Sequence, residues 1–131
     1  MSKLNFLKVL LYLGVVYYVM GAVVHYFGFT LFPWFDGKLY APYQDTVIAF
    51  VALVFAYLLI VVAKNPIKNK EVLRFIVISA TLASILSILI IWKVDFVALG
   101  APAKKFQTIV EGILGFLWVG AVLYAYPHKE I

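Results

Sequence analysis

Few side chains in this chain could do chemistry. Within or beside its long apolar runs stand His25, Gln44, Asp45, Lys93, Asp95, Gln107 and Glu111. Glu111 is the most informative, because an ionisable group inside an apolar run is costly and is by default a functional-site candidate. At offsets of −4, +4 and +7 it shares a helical face with Gln107, Gly115 and Trp118. A carboxylate there can bind a ligand or exchange a proton. It can equally complement a helix dipole or pair with Lys93, Lys104 or Lys105. Asp45 precedes an apolar helix and is a favoured N-cap. It also heads the face formed by Ala49, Ala52 and Ala56, so it can cap and still bind. His25, Asp45 and Glu111 offer donor types suited to a hard or borderline metal. Each comes from a different run, so the sequence sets no distance between them. His25 is the one intramembrane candidate for a haem axial ligand, since His128 lies in the tail and no second His joins it.

Other chemistries find no residues. The chain has no Cys, which removes disulfides, thiolate metal sites and Fe–S clusters. It has no nucleophile elbow, HExxH, P-loop or dinucleotide fingerprint, which points away from an enzyme. The net charge of +5 sits in short loops between apolar runs, not on one basic face, so nucleic acid is not an expected partner.

The elements that must position these residues lie in a membrane. Of 131 residues, 66% are apolar and 13% charged, against roughly half and a quarter in soluble domains. Four apolar runs are expected as helices over about 4–28, 45–63, 72–92 and 106–126. Each is long enough to cross ~30 Å of hydrocarbon. The first run is too long for a signal-peptide core and no small-x-small cleavage site follows it, so it reads as a retained membrane helix. Small residues mark the expected packing seams: Gly14 and Gly21 on the first helix, Ala49, Ala52 and Ala56 on the second, Ala80, Ala83 and Ser84 on the third, Gly112 and Gly115 on the fourth. The third helix carries serines that either line a polar path or bond their own i−4 carbonyls. The aromatic stretch at residues 29–44, broken by Pro33, Gly37 and Pro42, suits a loop or short helix on the membrane surface, with a turn at Asp36-Gly37. Pro66 stops the second helix before a short basic turn.

The fold expected is therefore all-α: one domain, a four-helix antiparallel transmembrane bundle. Seven basic residues (Lys3, Lys8, Lys64, Lys68, Lys70, Arg74 and Lys129) share a side with the termini, against Lys38, Lys93, Lys104 and Lys105 on the other. That bias puts both termini in the cytoplasm. His25, Gln44, Asp45, Lys93, Asp95, Gln107 and Glu111 then gather in one layer near the outer surface.

The segments GAVVHYFG (21–28) and YLLIVVAKNPIKN (57–69) are similar to those of small uncharacterised prokaryotic four-span membrane proteins, which loosely resemble the DoxX-like group. Some members of that group are small subunits of quinone-coupled redox complexes. The resemblance implies a prokaryotic cell membrane and a subunit role, and assigns no residue. Three functions stay open. The first is a non-catalytic accessory subunit packed in a larger membrane complex, of which a respiratory or redox complex is one case. The second is a binding module for a quinone, lipid or other apolar ligand, using His25, Asp45, Gln107, Glu111 and Trp118. The third is a proton- or ion-handling homo-oligomer using Glu111. The partners expected are the lipid bilayer and other membrane subunits or further copies of the chain.

Overall fold

The computed structural model describes residues 2–31 and 35–127. Pro33 and Trp34 of the aromatic stretch, and His128 and Lys129 of the tail, lie outside the described residues. The described chain is all-α, with helices α1 (Lys3–Phe27), α2 (Pro42–Lys64), α3 (Lys70–Lys93) and α4 (Ala103–Tyr124). All four are long and apolar enough to cross a membrane.

The helix ends differ from the expected ones for identifiable reasons. Ser2 caps α1 by accepting from the Asn5 N–H at 3.2 Å, and Gly28 closes it at φ 70°, a left-handed position that glycine adopts without strain. The α2 helix starts three residues before the expected Asp45. Pro42 takes its first position, where a missing N–H costs nothing. Asp45 is therefore not the N-cap: it lies in the first turn, and Ala41 occupies the cap. The α4 helix likewise starts at Ala103, ahead of the expected Phe106, and its first turn holds no acidic residue. Glu111 is thus about two turns inside, ~12 Å from the start, where the helix dipole has largely faded. At the other end α4 stops at Tyr124, because Pro127 disfavours helical backbone at the residue before it.

Between α2 and α3, Asn65 accepts from the Lys68 N–H at 3.1 Å, and the Asn69 amide donates to the carbonyls of Val61 (3.1 Å) and Asn65 (2.9 Å). These bonds satisfy carbonyls that the helix end would leave open.

The main contacts join α1 to α2 and α3 to α4. In the first pair Gly14 lies against Leu59, and Ala22, Ala49 and Ala52 cluster with Tyr18. In the second pair Gly112 faces Ser87, and Gly115 faces Ser84 so closely that a Cβ there would clash with its hydroxyl. Two expected seam residues behave otherwise. A Cβ on Gly21 would meet no described heavy atom within 4 Å, and Ala83 is exposed. All four helices meet in one apolar core: Leu7 and Leu11 of α1, Leu59 and Val62 of α2, Leu73 and Ile76 of α3, and Val119 and Val122 of α4. This core fills the end of the bundle that holds the start of α1 and the α2–α3 turn. The opposite end holds polar groups instead.

Candidate functional site

The polar end is built around Asp45. Its carboxylate is 5% exposed at residue level. One oxygen accepts from the Ala41 N–H at 2.6 Å, and the other lies 2.5 Å from His25 Nδ1. A carboxylate only accepts, so with Asp45 ionised Nδ1 carries the proton and the bond fixes the imidazole's orientation. Asp45 thereby does two jobs: it anchors the start of α2 and fixes a histidine on α1.

Phe35 closes over this pair. It is buried, and its ring stands edge-on to the His25 ring at 4.6 Å between centroids. Paired bonds between Leu31 and Phe35, each 2.8 Å, hold the segment in place. Beyond it the Asp36 carboxylate accepts from the Lys38 N–H at 3.0 Å and opens the short 3₁₀ turn Gly37–Leu39, in agreement with the turn expected at Asp36-Gly37. The Tyr40 hydroxyl donates to the Tyr26 carbonyl at 3.0 Å, tying the loop back to α1.

Lys104 of α4 reaches the same place. Its ammonium sits 5.5 Å from the centre of the Phe35 ring, within cation–π range. The carboxylates of Glu111, Asp36 and Asp45 all act on it electrostatically. None pairs with it directly; among the described residues the one contact of that kind is His25–Asp45, which is an ion pair only when the imidazole is protonated. Glu111 lies two turns deeper on the same face of α4. It accepts from the Gln107 amide at 3.3 Å, a long bond. Gln107 itself is buried.

Of the residues picked from sequence, His25 and Asp45 meet directly, and Gln107 and Glu111 bond each other further along the α4 helix that carries Lys104. Trp118 does not belong to this group. Its indole N–H donates to the Leu10 carbonyl at 2.9 Å and its ring packs against the apolar core. No group of three His, Asp or Glu side chains among the described residues is placed to hold a metal, so His25, Asp45 and Glu111 do not form a shared ligand set. Phe35 was missed, being one aromatic among many in its loop. Lys104 stood among three possible partners of Glu111, and its spacing of seven residues already placed it on the same helical face.

The α3 hydroxyls belong to their own helix. Thr81, Ser84 and Ser87 donate to the i−4 carbonyls of Val77, Ala80 and Ala83 at 2.8, 3.0 and 3.2 Å. Separately, an open apolar groove of about 320 Å³ runs along α1 and α2 between Val19, Val23, Tyr26, Phe50 and Leu53, and shares no lining residue with the polar cluster. Comparison with protein-family models, curated proteins and solved structures finds no match to this chain.

Proposed function

We propose that the chain is an integral membrane binding module that holds the polar end of a quinone, lipid or other apolar ligand. The observation that carries this reading is the convergence of His25, Asp45, Phe35 and Lys104 from three helices and a loop, with Glu111 deeper on the face of Lys104. Sites for apolar ligands combine apolar walls with a few convergent polar groups. The Asp45 bonds serve the fold, but Lys104 and Glu111 make no direct ion pair with each other, and a ligand with a polar head gives such groups a partner.

The bundle we propose is antiparallel, with both termini in the cytoplasm of a prokaryotic cell. Two contacts support the first point. Gly14 lies against Leu59 and His25 against Asp45, so advancing along α1 means retreating along α2. The excess of basic residues on the side of the termini supports the second. The polar cluster then belongs to the outer leaflet.

The test is native mass spectrometry of protein taken from its own membrane in mild detergent. A small amphiphile should remain bound to the wild type and be lost from His25→Ala and Glu111→Gln while both variants stay folded. Unchanged occupancy in both variants would sink the reading.

A second reading, the accessory subunit, is favoured by a different observation. A third or less of each span is buried within the chain, and the small residues Ala83 and Gly120 lie exposed. Small residues on open faces let a foreign helix approach closely. A particle of several different subunits in the same extraction supports it; copies of this chain alone count against it.

A further inference from the structure

The net charge of the chain is gathered at one end. The start of α1, the α2–α3 turn and the end of α4 share the end that holds the apolar core. This end carries Lys3, Lys8, Lys64, Lys68, Lys70 and Arg74 against a single described acid, Glu71. At the opposite end Lys38, Lys93, Lys104 and Lys105 are matched by Asp36, Asp45, Asp95 and Glu111. Lys129 and Glu130, outside the described residues, cancel in the count. The net charge of +5 therefore lies on one side of four apolar spans.

Among the described residues none of the groups at the basic end forms an ion pair. Lys3, Lys64, Lys68 and Arg74 are exposed, and so is Glu71. Two tyrosines hold basic residues of different helices to one rim. The Lys3 ammonium stands 4.5 Å from the centre of the Tyr124 ring, joining α1 to the end of α4. The Tyr126 hydroxyl donates to the Lys70 carbonyl at 3.2 Å, joining that end to α3.

Position selects the partner. Lys3 opens α1, Lys64 ends α2 and Lys70 opens α3, so the charges ring the apolar spans at the level where a bilayer places its phosphates. A lipid head reaches them from the plane of the membrane. A zwitterionic head brings a cation with each phosphate and leaves the excess charge as it was. A head of net negative charge reduces it, and each Lys or Arg near such a surface gains about fivefold in binding.

We propose that this rim is a docking surface for anionic phospholipids of the leaflet it faces, centred on Lys64, Lys68, Lys70 and Arg74 around the α2–α3 turn. It uses the end of the bundle away from His25 and Asp45, so it stands or falls apart from the binding-module reading.

Three dioleoyl lipids with different heads test it: phosphatidylglycerol, phosphatidylethanolamine and phosphatidylcholine. Each is titrated against the purified chain in neutral detergent, and bound lipid is counted by native mass spectrometry. Phosphatidylglycerol should bind about tenfold or more tightly than either zwitterion in about 0.1 M ammonium acetate. The preference should shrink in about 1 M, where the screening length falls from about 10 Å to about 3 Å. Replacing Lys64, Lys68, Lys70 and Arg74 together by Gln should abolish it, and Glu71→Gln should raise it. If the fourfold variant does not fold, the exposed pair Lys64→Gln and Lys68→Gln should lose about half of the preference on a logarithmic scale. Replacing Lys38, Lys93 and Lys105 by Gln is the control and should leave it intact. Equal binding of the three lipids overturns the proposal and leaves these residues to orient the chain or to meet an acidic protein. Equal loss in the control variant overturns the location. Displacement of phosphatidylglycerol by an equal concentration of inorganic phosphate overturns the lipid source.

Discussion

The indole N–H of Trp118 donates to the backbone carbonyl of Leu10 at 2.9 Å, joining residues 108 apart in the chain. Leu10 stands in mid-helix, where its carbonyl also serves the α1 ladder, so Trp118 adds a second bond to an acceptor with two lone pairs. Replacing Trp118 by Phe leaves no buried acceptor unpaired and should cost only about 0.5–1.5 kcal/mol. Replacing it by Ala removes a ring packed on the core and should cost roughly 3–5 kcal/mol. Thermal unfolding in detergent measures both. Equal losses would mean that the bond, not the ring, holds α4 to α1.

Gly115 and Ser84 form the tightest point between α3 and α4. Gly115→Ala puts a methyl group against the Ser84 hydroxyl and should destabilise by about 1–3 kcal/mol, the usual cost of overpacking. Ser84→Ala removes the obstructing oxygen, so the double variant should recover most of the loss. A cycle of the four proteins reads this coupling directly. Gly120→Ala is the control. No described atom lies within 4 Å of its Cβ, and the better helix former should leave stability unchanged or raised. Additive losses at Gly115 and Ser84 would remove the contact from the explanation.

The difference between Gly115 and Gly21 shows what the sequence could and could not reveal. Apolar runs broken by Pro42, Pro66 and Pro127 announce four helices, because bilayer thickness and proline chemistry act through local composition. Small residues announce seams for the same reason. Which seam closes is another matter. Gly21 and Gly115 look alike in sequence, yet a Cβ on one would meet no described heavy atom within 4 Å and a Cβ on the other would clash with a serine, since which face meets a neighbour is set by all the contacts along both helices. The site was legible in the same proportion. His25, Asp45 and Glu111 stood out as polar groups in the wrong solvent. That Asp45 holds His25 was not legible, because it depends on how α1 and α2 pair. Phe35 was hidden among similar aromatics, and only the folded loop places it on the histidine.

Asp45 satisfies two donors from different elements, the Ala41 N–H and His25 Nδ1. Asp45→Ala leaves both without an acceptor in a part-buried place and should cost about 1–3 kcal/mol, as an unpaired polar group does. Asp45→Asn keeps one acceptor oxygen and should lose less than half as much. His25→Ala removes one donor and leaves the Ala41 bond intact, so it should be the mildest of the three. Unfolding midpoints of the three variants give the order. If His25→Ala is as damaging as Asp45→Ala, the imidazole carries more of the fold than its one bond and one ring contact explain.

The leaflet that holds the cluster follows from which side the loops occupy. The chain has no Cys, so single cysteines can be introduced without background. Lys68 lies in the α2–α3 turn and Leu99 in the α3–α4 connection, and both are exposed. With the termini in the cytoplasm, Leu99→Cys should react with a membrane-impermeant maleimide on intact cells, and Lys68→Cys only after the membrane is opened. The reverse pattern would place His25, Asp45 and Lys104 at the cytoplasmic face. Their ligand would then be drawn from the inner leaflet, and the seven basic residues on the side of the termini would lie outside, against the charge bias that orients most membrane helices.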